Sequence, residues 1–277
     1  MMRPPRPKKA LGQNFLTDRS VLDRIAALVA PGPGDRILEI GPGRGALTDL
    51  LAASGAELVA VELDRELVPI LTERFAALPG VRIVAADILR VDLPALLGET
   101  GSGPWKVAAN LPYNISSQIL FRFVDCRSLF RSLVLMLQKE VGERLAAPPD
   151  CKDYGVLTVL CQLHFEVRKE FIVRPGAFFP APKVDSMVLS LVPRERPLAD
   201  VGDEGVFRRV VKAAFGQRRK TLWNCLRGAD LGPTGERLRA VLDRCGIDPA
   251  RRGETLAIEE FARLARTLAE EAVPGAG

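Results

Sequence analysis

Apolar runs of strand length alternate with helix-patterned segments through the first two thirds of this chain, and that alternation leaves few folds open. The runs are RILEI (36–40), LVAVE (58–62), VRIVA (81–85), KVAAN (106–110) and SLVLML (132–137). Each reads as a strand buried on both faces, the pattern of a parallel sheet covered by helices. After the first run, Leu47, Leu50 and Leu51 share one helical face, and after the second Leu67, Ile70, Leu71 and Phe75 do the same. Asp18 is placed to cap an earlier helix with Val21, Leu22, Ile25, Leu28 and Val29 on its apolar side. The expectation is a doubly wound, mostly parallel α/β sheet with right-handed crossovers.

From about residue 155 the pattern changes. GVLTVLCQLHFEVRKEFIV and KVDSMVLSLVP read as long strands with no helix between them, an antiparallel edge of the sheet. The polar, Pro- and Gly-bearing stretch 193–205 predicts a boundary, and VFRRVVKAAF, ERLRAVLDRC and IEEFARLARTLAEE beyond it read as helices. The expected division is an α/β domain over 1–197 and a small all-α domain over 198–277.

Composition and charge narrow the function. At 47% hydrophobic and 26% charged, the chain is neither disordered nor low-complexity. The five cysteines (126, 151, 161, 225 and 245) form no CxxC pair, and His164 is the single histidine. Zinc ribbons, zinc hydrolases and disulfide frameworks therefore lack their ligands, and no metal is expected. His164, within LCQLHFEV, reads as a strand residue rather than a catalytic base. No run of about 18 apolar residues suggests a membrane span. The start, MMRPPRPKKALGQNF, turns polar where a signal peptide needs an apolar core, so a cytoplasmic protein with reduced thiols is expected.

The net charge of +5 is segregated. Residues 1–9 carry +4 through Arg3, Arg6, Lys8 and Lys9, residues 205–252 carry +8, and the rest of the chain is −7. Such separation suits a polyanion partner on an otherwise acidic protein.

Two loops carry chemistry. Gly41-Pro42-Gly43-Arg44-Gly45 follows the first run and opens a helix, so its backbone can approach a ligand closely. Glu39, Glu62 and Asp87 stand at or after three successive runs. Singly, each also suits a solvated strand end or a helix cap. Together they suggest a nucleoside without phosphates, Glu62 on the ribose and Asp87 on an adenine amine, which fits S-adenosylmethionine better than a dinucleotide. After the fourth run comes Asn110-Leu111-Pro112-Tyr113. An exocyclic base amine is a poor nucleophile because its lone pair is conjugated with the ring. The Asn110 side-chain oxygen and the Leu111 carbonyl could each accept one amine hydrogen and draw that lone pair out of the ring. Pro112 would stiffen the loop, and Tyr113 would offer a stacking face. Alone, the four residues also fit an ordinary Asn-x-Pro turn.

With these loops in view, the chain resembles the ribosomal RNA adenine dimethyltransferases, in particular their small-subunit branch, over about residues 8–265. The motifs that carry the resemblance are GQNFL (12–16), EIGPGRGALT (39–48), VELD (61–64), NLPYNISS (110–117), QKEVGERL (138–145), FFPAPKVDS (178–186), FGQRRKTL (215–222) and RRGETL (251–256). The resemblance implies a Rossmann-like class I S-adenosylmethionine-dependent methyltransferase fold. It implies that Asn14, Leu16, Gly41, Glu62, Asp87 and Asn110 contact S-adenosylmethionine, and that Asn110, Leu111, Pro112 and Tyr113 hold the target adenosine. Phe178 would stack on the flipped base opposite Tyr113, leaving Phe179 to packing. The implied reaction adds four methyl groups to two adjacent adenosines in the 3′-terminal hairpin of 16S rRNA, late in the assembly of the small ribosomal subunit. The enzyme would be a cytoplasmic monomer, and Arg218, Arg219 and Lys220 would meet RNA phosphates from a helix.

Arg44, where a smaller residue is usual, and Gln118, where proline is frequent, depart from the family pattern. The large-subunit branch that confers macrolide resistance shares both loops, but FGQRRKTL and the length of the helical domain favour the small-subunit branch. Leu111, where DNA adenine methyltransferases carry proline, argues against those enzymes. An assembly factor that has lost its chemistry is disfavoured by the intact loops.

Overall fold

The computed structural model describes residues 5–98 and 103–272, so Arg3 of the basic arm lies outside the described residues. Seven strands form the main sheet: β2 (Arg36–Ile40), β3 (Glu57–Glu62), β4 (Val81–Ala85), β5 (Trp105–Asn110), β6 (Phe130–Gln138), β7 (Phe165–Val173) and β9 (Ser186–Pro193). Their order across the sheet is β4-β3-β2-β5-β6-β9-β7. The pairs from β4 to β6 are parallel, whereas β6 and β9 run antiparallel, Gln138 opposite Ser186. Strand order reverses at β2, so a crevice opens beyond the carboxyl ends of β2 and its neighbours. A two-stranded ribbon pairs β1 (Phe15–Leu16) with β8 (Phe178–Phe179), Leu16 facing Phe178.

Local sequence accounts for most elements. The Asp18 carboxylate accepts from the Ser20 and Val21 amides at 2.9 and 3.2 Å, satisfying the first donors of α1 (Arg19–Val29). That helix buries Val21, Leu22, Ile25 and Val29 in a core shared with Ile37, Leu51, Leu58 and Phe178. Helices α2 (Ala46–Ala52), α3 (Leu67–Phe75), α4 (Leu93–Gly98) and α5 (Ser116–Asp125) are the crossovers between parallel strands. After β6 the chain enters α6 (Lys139–Leu145).

One expectation fails. Residues read as the start of a long strand form α7 (Val156–His164), with β7 beginning only at Phe165. A short apolar run has the same composition whether it becomes a core strand or a core helix. Here Leu157 through Cys161, Leu163 and His164 are all buried, so the helix is apolar all round. Its first turn is closed locally: the Gly155 amide donates to the Thr158 hydroxyl, which itself donates to the Arg144 carbonyl. His164 is accordingly the last residue of a helix and not a strand residue.

This helix also makes the helical unit discontinuous in sequence. One compact unit runs to Glu143 and resumes over Glu166–Pro193, and the other takes Arg144–Phe165 together with the chain from Arg194 onward. A single cut at 197 therefore misses a segment bonded to the helical part, through Asp150 N to Glu254 O at 2.8 Å and Arg194 Nε to Gln162 O at 3.1 Å. The second unit contains α7, α8 (Glu204–Ala214), α9 (Leu222–Leu226), α10 (Glu236–Arg244) and α11 (Ile258–Ala272). Its interior holds Phe207 and Phe261, with the half-buried Phe215 ring 5.9 Å from that of Phe261.

Because the Phe178 side chain is a core group, Phe178→Ala should lower the unfolding free energy by about 3–5 kcal/mol. Chemical denaturation measures this directly, and a loss below about 1 kcal/mol would place the ring outside the core.

Candidate active site

The crevice at the strand ends gathers eight of the expected residues around one cleft: Asn14, Gly41, Glu62, Asp87, Asn110, Leu111, Pro112 and Tyr113. Leu16 is not among them. It is 9% exposed and lines a neighbouring cavity with Glu39 and Arg44, so a ligand confined to the first cleft would not touch it.

The glycine loop follows from backbone constraint. Gly41 and Gly43 have φ of +67° and +58°, a region side-chain-bearing residues rarely adopt. A Cβ on Gly43 would also sit 2.9 Å from the Phe15 ring. One on Gly41 would fill the space 3.8 Å from the Asn110 carbonyl, where the cleft needs room. The Gly43 amide donates to Glu62 Oε2 at 3.0 Å and the Asp64 amide to Glu62 Oε1 at 2.8 Å, which aims the carboxylate at the cleft wall. Burial nevertheless raises its pKa, since these amide bonds offset only part of the lost hydration. Asp87 accepts from the Leu89 amide at 2.9 Å and keeps its second oxygen 3.5 Å from Arg90 Nε.

Glu39 is the acid that behaves differently. Its carboxyl is 2% exposed, and Oε2 has no hydrogen-bond partner among the described residues. Burial pushes its pKa up to about 8, with Glu62 and Asp49 adding like charge. Glu39 is thus a neutral structural acid in the adjoining cavity and does not join Glu62 and Asp87.

Sequence reading missed Asp64, although VELD was in view. Its side chain is 1% exposed and receives Lys8 Nζ at 2.6 Å, Gln13 Nε2 at 2.8 Å and the Glu66 amide at 3.0 Å. Burial works to raise its pKa, but these donors outweigh it and hold the carboxyl below its ordinary value. Gln13 also accepts from the Lys8 amide at 2.7 Å. Residues 8–14 are thereby held as one wall of the cleft. The signal was available as an acid two residues beyond Glu62 and a cation in the arm, but only the fold brings them together.

The second loop is held at several points. The Leu111 amide donates to the Met136 carbonyl at 2.9 Å, and the Ile115 amide to the Pro112 carbonyl at 3.2 Å. Asn110 Nδ2 donates to the Asn14 carbonyl at 3.1 Å, which leaves Oδ1 as the acceptor end of the amide. Tyr113 is half-buried at the cleft, and burial raises its hydroxyl pKa.

Phe178 is 5% exposed and packs in the core cluster, while Phe179 is 54% exposed. The structure reverses the expectation: Phe178, expected to stack, is the packed ring, and Phe179, expected to pack, is the exposed one. The guanidinium of Arg44 lies 4.7 Å from the Phe15 ring and 5.8 Å from the Phe179 ring, and Nη2 donates to the Pro5 carbonyl at 3.1 Å. The unusual arginine thus ties the arm to the glycine loop. Gln118 lies exposed in the first turn of α5, where proline would also be tolerated. Within the helical unit, Arg218, Arg219 and Lys220 are exposed on a turn between α8 and α9, not on a helix. Arg218 bonds the Lys152 carbonyl and lies 3.5 Å from Glu254.

A nucleoside methyl donor fits the first cleft. The cleft offers such a donor a glycine cradle, a carboxylate oriented by two backbone amides and a second acid beside it. Among the described residues no group of three or more His, Cys, Asp or Glu is placed to hold a metal.

The raised pKa of Glu39 makes stability depend on pH. The folded carboxyl keeps a proton that the unfolded chain releases near 4.5, so this group's contribution is complete below that pH and is lost as pH rises towards about 8. Glu39→Gln should remove that decline and gain on the order of 1–3 kcal/mol over the parent near pH 8. Urea unfolding at pH 5.5 and 8 checks it, and equal pH dependence in parent and variant would show an ionised Glu39.

Comparison with known proteins agrees with the geometry. The family model described as "Ribosomal RNA adenine dimethylase" matches residues 6–270. "Ribosomal RNA small subunit methyltransferase A" of Geobacter sulfurreducens is 64% identical over 263 residues, 95% of each chain. A dimethyladenosine transferase from Plasmodium falciparum shares the fold at TM-score 0.81 and 24% identity, over 93% of this chain and 98% of that one. The 23S rRNA methyltransferase ErmE is similar at TM-score 0.68 and 27% identity, over 92% of this chain and 100% of that one. A match of this extent, on a chain whose glycine loop and Asn110–Tyr113 loop share one cleft, places the protein in the ribosomal RNA adenine dimethylase family.

Proposed function

We propose that this methyltransferase uses S-adenosylmethionine to dimethylate two adjacent adenosines in the 3′-terminal hairpin of 16S rRNA, within an immature small ribosomal subunit. The observation that carries the reading is the Asn110–Tyr113 loop, whose amide is oriented by Asn14 and whose backbone is pinned to β6. The 64% identical relative bears a small-subunit name, whereas the large-subunit enzyme is 27% identical, which favours the small-subunit substrate. No helix among the described residues is long and apolar enough to cross a membrane. Action on assembling subunits fits a monomer in the cytoplasm.

Bound in the cleft, the donor supplies an electrophilic methyl group on a cationic sulfur. Glu62 would hold its ribose, Asp87 its adenine amine, and Asn14 and Gly41 the remaining wall. Asn110 Oδ1 and the Leu111 carbonyl accept the two hydrogens of the target amine. This favours a pyramidal nitrogen with its lone pair free, an arrangement needed more in the transition state than in the ground state. The alkylated nitrogen is acidic and gives its proton to solvent, so the loop needs no strong base. Tyr113 stacks on one face of the extruded adenine; Phe178, expected on the other, is buried in the core, and Phe179 is the exposed aromatic that the β8 segment offers instead. Arg218, Arg219 and Lys220 contact phosphates, attraction that does not depend on sequence.

Transfer of labelled methyl to small subunits lacking the modification should approach four groups per particle, on adjacent adenosines near the 3′ end. Labelling of large-subunit RNA instead would assign the protein to the other branch. Asn110→Ala should keep donor affinity within roughly tenfold while slowing transfer by orders of magnitude, as for a group that acts in the transition state. Unchanged turnover would remove Asn110 from the mechanism. Replacing Arg218, Arg219 and Lys220 together by glutamine should weaken RNA binding and flatten its dependence on salt, and an unaltered salt slope would return these charges to a solvated face.

A further inference from the structure

The side chain of Ser186 is 0% exposed, yet its hydroxyl lies 2.6 Å from the Tyr113 hydroxyl, 73 residues away in the chain. Ser186 opens β9, and its neighbourhood is rigid. Its position faces Gln138 on β6, the Lys139 amide donates to the Asp185 carbonyl at 3.0 Å, and Arg174 Nη1 pairs with the Asp185 carboxylate at 2.7 Å. At the other end of Tyr113, the Ser116 hydroxyl donates to the Tyr113 carbonyl at 3.3 Å. The residue is thus held at its backbone by the start of α5 and at its ring tip by β9.

A phenyl ring anchored only at Cα can swing about χ1, which moves its face by several ångströms. A second anchor at the phenol oxygen removes that freedom, and an order-of-magnitude rate effect follows from small misplacement of a reacting group. We propose that Ser186 is a positioning residue for methyl transfer, fixing the plane of the Tyr113 ring so that a stacked adenine presents its amine to Asn110. This rests on the reading that Tyr113 receives the target base. The bond also gives the Tyr113 hydroxyl a task that a phenylalanine could not perform, although either ring offers a π face. Ser186 acts through Tyr113 and touches neither substrate nor donor.

A double-mutant cycle on the full-length protein tests it, with Ser186→Ala, Tyr113→Phe and the double variant, and Tyr113→Ala as a control. The readouts are single-turnover methyl transfer to unmodified small subunits, the KM for those subunits, the affinity for S-adenosylhomocysteine by calorimetry, and the thermal midpoint. Ser186→Ala and Tyr113→Phe should each slow transfer about three- to tenfold, the worth of one hydrogen bond. The double variant should be no slower than either single one, and KM and S-adenosylhomocysteine affinity should hold within about twofold. Single effects that multiply in the double variant would overturn the proposal, as would normal rates in both singles. If those normal rates accompany a Tyr113→Ala variant that is inactive, only the Ser186 role falls. If Tyr113→Ala is itself fully active, the stacking reading falls with it. Should Ser186→Ala prove too unstable to assay, Tyr113→Phe alone decides, because it removes the same bond from the half-buried side, and a parental rate there refutes the role.

Discussion

The cleft depends on one buried carboxylate. Asp64 takes donors from two stretches of chain, Lys8 and Gln13 of the N-terminal segment and the Glu66 amide of its own turn, while its own amide donates to the Glu62 carboxylate that also accepts from Gly43. A carboxylate stripped of water is tolerable only when its lone pairs are taken, and removing one partner leaves an uncompensated charge. The same demand that stabilises Asp64 therefore draws residues 8–14 over the ends of β2 and β3. Because its pKa is depressed, this linkage is complete above the ordinary carboxylate range and is lost as pH falls through the folded value.

The three acids of the first strands differ in burial and in hydrogen-bond partners. Glu62 is buried but accepts two backbone amides, so its oxygens are aimed before any ligand arrives. Glu39, seven residues before the start of the loop helix, is buried, lacks a partner on one oxygen and is held towards its protonated form. Asp87 keeps water access and one local amide. A cationic donor would then meet one oriented acid and one solvated acid in the same cleft, without the desolvation cost of a third charge.

Periodicity made the parallel half of the sheet legible, because strands buried on both faces and amphipathic crossovers leave different patterns in sequence. The cap at Asp18 and the ends of β2, β4 and β5 could be read from a few residues each. What could not be read was α7. GVLTVLCQLH carries β-branched and apolar residues at every turn, and only its burial on all sides within the helical unit selects the helix. That same packing adds Arg144–Phe165 to the helical unit, while the second crossing between the units, at Pro193 and Arg194, falls at the polar stretch that the sequence marked. In the site, residues adjacent in a motif were legible, while long-range pairs were not. Lys8 with Asp64, Asn14 with Asn110, and Tyr113 with Ser186 are separated by 56, 96 and 73 positions. Phe178 and Phe179 show the limit most plainly. In a β-ribbon, neighbouring side chains point to opposite faces, and sequence alone does not say which face is the core.

The two kinds of recognition expected of this enzyme ask for opposite mechanics, and the residues reflect that. Reading an amine requires that Asn110 and Leu111 be held to a fraction of an ångström, and backbone bonds to β6 and the Asn14 carbonyl supply that stiffness. Under the proposed function, contacting phosphates requires charge but little precision, which the long, exposed side chains of the Arg218–Lys220 turn would supply. Each task therefore falls to the element whose rigidity suits it. Arg44 belongs to the stiff set despite its charge: its guanidinium is committed to two aromatic rings and the Pro5 carbonyl. A cation spent on π faces and a backbone oxygen adds little to phosphate attraction but holds the glycine loop against the arm. The departure from the usual small residue at this position is thus a mechanical substitution, compatible with the same chemistry in the cleft beside it.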